Sequence, residues 1–328
     1  MNIRRFVGIR VLVFAFIFLF TSTTIAITGE LNVIGHRGAA GLMPENTLAG
    51  FKKAMDLGVD TFELDIHLTS DNEAVVYHDS RLNPAITRDT TGEWIKERLL
   101  IKELTLSKVQ SYDVGKLNRW SAYSRKYRDQ IAVDGARIPT LREVIQLAKK
   151  TNDKTHIFIE IKHSPLKPEE TKSPEEISNA VSKIIKDENI ASRVSVISFD
   201  WKVLKYFQGI MPEVPTGYVT ITKEGRDTIQ KNTPGASPWM AGIDIDEFDS
   251  IPEAVKSAGG TYWITNYYHA IGHQKNINSK TVDKAHSLGI EVIVWTPDSE
   301  SDMKKLIKTG VDGITTNRPD ILLSLLKR

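Results

Sequence analysis

The most informative stretch of the sequence is VDTFELDIHLTSDNEAVVYHDS, residues 59–80, in which two acidic residues interrupt a predicted apolar strand. Glu63 and Asp65 are two positions apart, so in a β-strand both side chains point to one face, about 6.6 Å apart along the backbone. Two carboxylates in an apolar strand repel each other unless a positive charge lies between them, and a divalent cation supplies that charge. The pattern therefore predicts a metal site, and the alternative is a surface hairpin with a solvated acidic face.

A turn follows the acidic pair. Residues 70–73 (SDNE) are typical of a turn, and the apolar residues 74–77 (AVVY) predict a second strand. If the turn is centred between residues 71 and 72, the two strands pair antiparallel and His78 lies directly opposite Asp65. Directly opposed residues share a face of the sheet. We therefore expect the histidine and both acids to converge.

The first 26 residues differ in composition from the rest of the chain. Three arginines precede an uninterrupted apolar run over residues 11–20, which is too short to span a bilayer comfortably, and small residues follow up to Ala26. This pattern predicts a secretory signal peptide over residues 1–26 and an exported protein, periplasmic or secreted. An uncleaved N-terminal anchor is the alternative.

Composition narrows the class of protein further. The 328 residues are 41% hydrophobic and 26% charged, which is typical of a soluble globular protein. Removal of residues 1–26 takes three arginines and no acid, so the net charge falls from +2 to −1, which argues against nucleic acid as a partner. No second apolar stretch is long enough for stable membrane insertion. The absence of cysteine excludes disulfides and thiolate zinc sites, and the oligomeric state stays open.

Strands and helices alternate along residues 27–328, which we interpret as one domain. Predicted strands at 31–35 and 59–66 flank a predicted helix, and such a unit is a right-handed parallel crossover. The alternation predicts six more parallel strands, at 156–162, 194–199, 216–219, 261–265, 291–295 and 313–316. Eight repeats predict an α/β protein with a TIM (β/α)8 barrel, the alternative being an open doubly wound sheet. A ninth candidate strand, 241–245, has no place in this scheme.

An insertion interrupts the alternation after the second strand. Residues 80 to about 137 are polar and carry scattered aromatic residues, among them Trp94, Tyr112, Trp120 and Tyr123. Their composition is not of low complexity, so we predict an excursion over one face of the barrel rather than a linker.

Ionisable residues gather where the predicted strands end. His36 and Arg37 follow the first strand, and Glu160 and Lys162 repeat the spacing of the acidic pair on the third parallel strand. In TIM barrels, chemistry lies at the carboxyl ends of the strands. Ionisable groups inside apolar strands are costly unless they are paired or bound to metal. We therefore expect one polar site at this end of the barrel.

These motifs resemble those of the glycerophosphodiester phosphodiesterase family. They occur in the family's order: GHRG (35–38), PENT (44–47), ELDI (63–66), HD (78–79), IPTL (138–141), EIK (160–162), SF (198–199), VWT (294–296), DGI (312–314) and TNRP (316–319). The resemblance implies a barrel of the PLC-like phosphodiesterase type that hydrolyses glycerophosphodiesters to glycerol 3-phosphate and an alcohol. One departure is Pro297, which stands where an Asn commonly follows the VWT motif.

The resemblance also implies roles for the residues at the strand ends. The metal ligands are Glu63, Asp65 and Glu160, for one divalent cation, Ca²⁺ or Mg²⁺; the catalytic pair is His36 and His78; the phosphate-binding cations are Arg37 and Lys162; and Phe199 and Trp295 are the substrate-binding aromatic residues. Ligands that are all oxygen suit a hard cation.

The two catalytic histidines need opposite protonation states at the start of the reaction. The acids around His78 favour its charged form and Arg37 favours a neutral His36, so we predict His36 as base and His78 as acid. His67 is expected on a solvated arm. His163 is close to the predicted phosphate site but is expected to be structural, and the remaining four are expected to be structural or at the surface: His156, His269, His273 and His286.

Other functions share parts of this pattern. A phospholipase D-like enzyme of the sphingomyelinase D type has a similar barrel and site but requires an apolar surface for lipid. A glycoside hydrolase would use Glu63 and Glu160 as acid and nucleophile, although His36, Arg37 and Lys162 favour an anionic substrate. A non-catalytic binding protein for phosphodiesters is a third class. For the hydrolase, the nucleophile is either the substrate's 2-hydroxyl, through a cyclic glycerol phosphate, or water.

Overall fold

A computed structural model of the chain describes residues 30–267 and 277–328. The predicted signal peptide, residues 1–26, lies outside the described residues, and so do His269 and His273. Within the described ranges, no helix is long and apolar enough to cross a membrane.

Eight parallel strands in the described ranges form a closed barrel. The described ranges contain eleven strands, which in chain order are β1 (Asn32–Gly35), β2 (Thr61–Leu68), β3 (Ala74–Val76), β4 (His156–Ile161), β5 (Val194–Ser198), β6 (Thr216–Thr220), β7 (Thr222–Lys223), β8 (Arg226–Asp227), β9 (Tyr262–Asn266), β10 (Glu291–Trp295) and β11 (Gly313–Thr316). The eight barrel strands are β1, β2, β4, β5, β6, β9, β10 and β11. β1 pairs with both β2 and β11, which closes the sheet. β3 pairs antiparallel with β2, and β7 and β8 form a separate hairpin. The TIM barrel prediction is confirmed.

Helices cover the outside of the barrel. They are α1 (Leu48–Leu57), α2 (Leu106–Gln110), α3 (Leu141–Thr151), α4 (Pro174–Asp187), α5 (Trp201–Ile210), α6 (Ile251–Ser257), α7 (Ser279–Ser287), α8 (Glu300–Thr309) and α9 (Pro319–Leu326). Thr140 caps α3 in a reciprocal bond with Glu143, and Gly58 ends α1 with φ of 87°. The predicted ninth strand is wrong, because residues 241–245 form a turn between two short 3₁₀ helices.

Side-chain alternation along the strands divides the core into two layers. One set of apolar residues packs between the strands and the helices. The other fills the barrel interior, with one residue from each of six strands: Ile34, Phe158, Ile197, Val219, Ile264 and Ile293. Because Phe158 points inward, Glu160 two positions later also points inward. This geometry turns the acidic residues of β2 and β4 toward the barrel axis.

Residues 80–137 contain one short α-helix, α2, two 3₁₀ helices (Ile101–Glu103 and Ser124–Lys126) and several isolated bridges. They pack a second, smaller core with residues from both ends of the segment and from β3, including Val75, Leu82, Ile101 and Tyr112. This core explains how a segment with little regular structure stays ordered beside the barrel.

The register of the β2–β3 hairpin differs from the prediction by one residue. Ile66 lies opposite Val76, and the amide of Tyr77, not of His78, donates to the carbonyl of Asp65 at 2.9 Å. The loop has five residues rather than four, because the hydroxyl and amide of Thr69 close it by bonding to the backbone of Glu73. The predicted pairing of Asp65 with His78 is therefore wrong.

Candidate active site

The turn after β1 brings two ionisable residues over the barrel. A Cβ atom on Gly35 would lie 2.1 Å from the carbonyl oxygen of Gly38, and Gly38 itself has φ of 86°. Both positions therefore require glycine. In this turn the amide of Arg37 donates to Glu63 Oε2 at 2.9 Å, so the backbone of the turn is tied to β2. His36 and Arg37 are held at the mouth of the barrel.

Three carboxylates meet on the barrel axis. Asp65 and Glu160 are direct neighbours in the parallel pairing of β2 and β4, and Glu63 precedes Asp65 by two positions. One oxygen from each side chain lies within 4.8 Å of the others, and all three residues are buried. Strand pairing therefore produces the cluster that the i, i+2 spacing predicts.

Two cations flank the carboxylates. Lys162 Nζ lies 2.8 Å from Glu160 Oε1 and 3.4 Å from Asp65 Oδ1. Arg37 Nε lies 3.4 Å from Asp65 Oδ2, and its Nη1 lies 2.9 Å from Glu45 Oε1. Glu45 and the three carboxylates of the cluster are thus accompanied by two cationic side chains, Arg37 and Lys162. The cluster keeps an excess of negative charge in a buried place.

The electrostatics of the cluster separate its two β2 acids. Burial, together with Asp65 and Glu160, raises the pKa of Glu63 well above its usual range. Burial also opposes ionisation of Asp65, but Lys162 and its other cationic neighbours hold the pKa of Asp65 well below its usual range. Without a further cation, a proton on Glu63 relieves the repulsion between the acids.

The donor set fits a hard divalent cation. Glu63 Oε1 and Asp65 Oδ1 are buried and make no hydrogen bond. Asp65 Oδ1 has Lys162 Nζ at 3.4 Å as an ion-pair contact, but a buried carboxylate oxygen without a hydrogen bond is costly, and both residues belong to the three-carboxylate cluster. Oxygen ligands with excess negative charge suit Ca²⁺ or Mg²⁺.

His36 has a neutral partner. Its Nδ1 lies 2.7 Å from Asn317 Oδ1, and its Nε2 lies 3.9 Å from Glu63 Oε2, too far for a hydrogen bond. Burial and the adjacent Arg37 lower the pKa of His36 to about 3. The imidazole is therefore neutral near pH 7.

His78 has a charged partner. Its Nδ1 lies 2.7 Å from Asp79 Oδ1, and Asn83 donates to the other oxygen of Asp79 at 3.0 Å. Burial opposes ionisation of Asp79, but the hydrogen bond from His78 lowers the pKa of Asp79 to about 2. Because an ionised carboxylate only accepts, His78 Nδ1 is the donor in this bond, which orients the ring. The ring is half-buried and borders the same cavity as His36.

A cavity of about 120 Å³ lies above the apolar interior of the barrel. Eight of the nine predicted site residues line it: His36, Arg37, Glu63, His78, Glu160, Lys162, Phe199 and Trp295. The ninth, Asp65, is in contact with Lys162 and Arg37. The rings of Phe199 and Trp295 meet edge to face, with centroids 5.7 Å apart. A wider cleft of about 860 Å³ shares His36, Arg37, His78 and both aromatic residues.

Two other histidines, His67 and His163, lie beside the site, and only His67 differs from its prediction. His67 is buried, and its Nε2 lies 3.2 Å from the carbonyl oxygen of His78, so the expectation of a solvated arm is wrong. In the β2–β3 pairing His67 lies opposite Val75, a residue of the second core. His163 Nδ1 lies 2.6 Å from Asp200 Oδ2 beside the site, which agrees with a structural role.

Several residues that support the site are not among those predicted from the sequence. Glu45 pairs with Arg37, and Asn46 Nδ2 donates to Asp65 Oδ2 at 2.8 Å. The hydroxyl of Tyr123, from the 80–137 segment, donates to Glu45. The PENT motif at 44–47 was a signal for the first two residues. No local pattern marked Tyr123, because only the tertiary structure brings residues 78 positions apart into contact.

Comparison with known proteins shows relatives along almost the whole chain. A glycerophosphodiester phosphodiesterase of Caldanaerobacter subterraneus subsp. tengcongensis is 30% identical over 298 residues, 90% of this chain and 98% of the relative. A solved structure of a candidate glycerophosphoryl diester phosphodiesterase from Silicibacter pomeroyi DSS-3 is 31% identical, covers 90% of this chain and 93% of its own, and has a TM-score of 0.79.

A third comparison supports the fold alone. A phosphodiesterase of Oleispira antarctica, solved in complex with the product sn-glycerol-3-phosphate, is 21% identical with a TM-score of 0.66, and the match covers 90% of this chain and 97% of that one.

The family model described as the glycerophosphoryl diester phosphodiesterase family matches residues 36–321, from the histidine after β1 into α9. The chain belongs to the glycerophosphoryl diester phosphodiesterase family.

Proposed function

We propose that this protein hydrolyses glycerophosphodiesters to glycerol 3-phosphate and an alcohol. The observation that carries the proposal is the convergence on one cavity of two histidines with different partners, three carboxylates, Arg37 and Lys162. The similarity to the Caldanaerobacter glycerophosphodiester phosphodiesterase over 98% of its length supports the same reaction.

The activity is proposed to need a divalent cation, Ca²⁺ or Mg²⁺. Glu63, Asp65 and Glu160 would hold it, since their oxygens cluster and two of them make no hydrogen bond. When bound, the cation supplies Lewis-acid polarisation of a phosphoryl oxygen. Lys162 and Arg37 now contact these carboxylates. With the carboxylate charge neutralised, both cations would be free to bind the phosphodiester anion.

The histidines are proposed to act as base and acid in the first step. Neutral His36 keeps an unprotonated nitrogen on the cavity side, where it can take a proton from the nucleophile. His78 is paired with the Asp79 carboxylate, which stabilises the imidazolium that gives a proton to the leaving alcohol. The aromatic rings of Phe199 and Trp295 are proposed to pack against the substrate beside the phosphate.

The substrate's 2-hydroxyl is proposed as the nucleophile. A hydroxyl one carbon from the ester oxygen has a high effective concentration, which lowers the barrier. It would close onto phosphorus as the leaving alcohol departs, and water would open the cyclic glycerol phosphate in a second step with the histidine roles exchanged. A 2-deoxy analogue of glycerophosphocholine should then bind but react orders of magnitude more slowly. Cleavage at a comparable rate would identify water as the nucleophile.

The direct test is release of glycerol 3-phosphate from glycerophosphocholine by the purified protein, with and without a chelator. We expect activity that is abolished by chelation and restored by Ca²⁺ or Mg²⁺. Full activity after exhaustive chelation would contradict the metal assignment. Release of choline from sphingomyelin vesicles tests the phospholipase D-like alternative, for which we expect no choline.

We also propose that the protein is exported after cleavage near Ala26, leaving residues 27–328 as one catalytic domain with an insertion at about 80–137. The proposal rests on the charged and apolar pattern of residues 1–26. N-terminal sequencing of the protein from the extracytoplasmic fraction should return a start near Ile27. A start at Met1 would favour the anchor.

A further inference from the structure

The structure links His36 to a carboxylate through one amide side chain. Asn317 Oδ1 lies 2.7 Å from His36 Nδ1, and Asn317 Nδ2 lies 2.8 Å from Asp298 Oδ2. The other oxygen of Asp298 accepts from the backbone N–H of Asn317 at 2.9 Å and from the Thr316 hydroxyl at 3.1 Å. Asp298 is thus bound to the end of β11 at three points.

The backbone around this chain of bonds is fixed by barrel closure. Gly35 pairs with Thr316 in the β1–β11 register, so His36 and Asn317 follow as lateral neighbours. The amide of His36 donates to Thr316 O at 2.9 Å, and the carbonyl of Asn317 accepts from Gly41 at 2.9 Å. Asn317 is 5% exposed, so water does not compete freely for its amide.

The order of donors and acceptors along the chain follows from chemistry. An ionised carboxylate only accepts, so Asp298 must face the amino group of Asn317. The amide oxygen must then face His36, and that oxygen also only accepts. His36 Nδ1 must therefore be the donor, which leaves the lone pair of a neutral imidazole on Nε2. Nε2 is the nitrogen on the Glu63 side, 3.9 Å from Oε2.

We propose that Asp298 is a positioning residue that selects the Nδ1–H tautomer of His36 through the side chain of Asn317. This proposal rests on the proposed function for its catalytic meaning, since a base on the cavity side is needed only if His36 takes a proton there. Among the described residues, the hydrogen bonds of Asp298 go to Thr316 and Asn317, and none goes to the three-carboxylate cluster or to His78. Its effect is transmitted by the orientation of one amide.

The relay predicts an inversion in Asp298→Asn. The new amide can donate toward Asn317, whose side chain then turns its oxygen to position 298 and its amino group to His36. His36 Nδ1 becomes an acceptor and the proton moves to Nε2. We expect kcat for glycerophosphocholine to fall about 10- to 100-fold with little change in KM, because a productive lone pair is lost while the binding residues stay.

The double variant Asp298→Asn with Asn317→Asp restores the acceptor beside His36. The introduced carboxylate accepts from the amide at 298 and from His36 Nδ1–H, so the original tautomer should return and part of the lost rate with it. The matched control is Asp320→Asn, which removes the same charge from the first turn of α9, where the carboxylate pairs with Arg318 at 2.8 and 2.9 Å. The control should keep the original tautomer.

The readout is nitrogen NMR of the ¹⁵N-histidine-labelled full protein near pH 8, with His36→Gln to assign the signals. The tautomer separates the nitrogen that carries the proton from the one that does not, and a merely structural defect would not invert it. We expect Nδ1–H in the wild type and the double variant, and Nε2–H in Asp298→Asn. Nε2–H in the wild type, or no inversion in Asp298→Asn, would overturn the proposal.

The two proposals fail in different ways. If the tautomers follow the prediction but the wild type releases no glycerol 3-phosphate, the relay stands and the proposed function fails. If the wild type is active and the Asp298→Asn tautomer is unchanged, the proposed function stands and the relay is refuted.

Discussion

At the scale of single residues, the two catalytic candidates share a cavity but differ in the charge of their partners. His36 contacts the neutral amide of Asn317, whereas His78 contacts the carboxylate of Asp79. A carboxylate stabilises an imidazolium and an amide does not, so the same side chain is prepared for opposite tasks. The base and acid assignments made from neighbouring charges in the sequence remain predictions, with this asymmetry in their favour.

The carboxylate cluster makes a second prediction at this scale. Because the pKa of Glu63 is raised, its side chain without a cation resembles a glutamine, so Glu63→Gln should change the cation-free unfolding free energy by less than about 0.5 kcal/mol. A cation at 100 times its Kd should stabilise the wild type by about 2.7 kcal/mol but not the variant. Urea unfolding with chelator and with Ca²⁺ or Mg²⁺ measures both.

The control for this experiment is Glu300→Gln, at an exposed position on α8 that pairs only with Lys304 among the ion pairs of the described ranges. It should keep the full stabilisation by the cation. Equal stabilisation of Glu63→Gln and the wild type would remove Glu63 from the ligand set.

At the scale of elements, the 80–137 segment contributes side chains to the site, among them Asn83, which donates to Asp79, and Tyr123, which bonds to Glu45. Tyr123 donates to Glu45 and accepts from Arg37 Nη1 at 3.3 Å, so Tyr123→Phe leaves both of these groups with one partner fewer. We expect KM for glycerophosphocholine to rise about 5- to 20-fold, since a misplaced Arg37 weakens phosphate binding. Steady-state kinetics test this. Tyr112→Phe, in the second core of the same segment, is the control and should leave KM unchanged.

The turn after β1 makes a further prediction at the element scale. Gly35→Ala places a Cβ atom 2.1 Å from the Gly38 carbonyl, so the turn must move. We expect a loss of at least about 2 kcal/mol of unfolding free energy. Gly209, within α5, has open space around the same atom, so Gly209→Ala should stabilise by about 0.5–1 kcal/mol. Thermal unfolding that ranks the two variants in the other order would contradict the steric argument.

At the scale of the whole molecule, stability should fall as the pH drops below neutrality. Burial, with help from Arg193, lowers the pKa of His156 to about 4, while the unfolded chain binds this proton near pH 6.5. Between pH 4 and 6.5 the unfolded state binds more protons than the folded state. The stabilisation that comes from the neutral, buried His156 is therefore full above about pH 6.5 and is lost as the pH falls toward 4.

The corresponding variant is His156→Gln, which can still bond to the Ser195 hydroxyl that lies 2.9 Å from the histidine ring. A single histidine contributes at most about 1.4 kcal/mol per pH unit. Urea midpoints between pH 7 and 4.5 should fall less steeply in the variant than in the wild type. Parallel slopes would show that His156 does not account for the dependence.

The barrel and the acidic pair of β2 could be predicted from the sequence alone. The period of two along β2 turns Glu63 and Asp65 to one face, and the repeated strand and helix pattern predicts eight parallel strands. These are local properties, because side-chain alternation and helix caps depend only on residues a few positions apart.

The contacts between distant segments could not be predicted from the sequence and are seen only in the tertiary structure. The hydroxyl of Thr69 bonds to the backbone of Glu73 in a five-residue hairpin loop, which shifts the register by one residue, and His67 is buried opposite Val75. Barrel closure brings Asn317 beside His36, 281 positions away in the chain. Such contacts depend on where strands end relative to one another. That relation is a property of the closed sheet, and no short pattern in the chain encodes it.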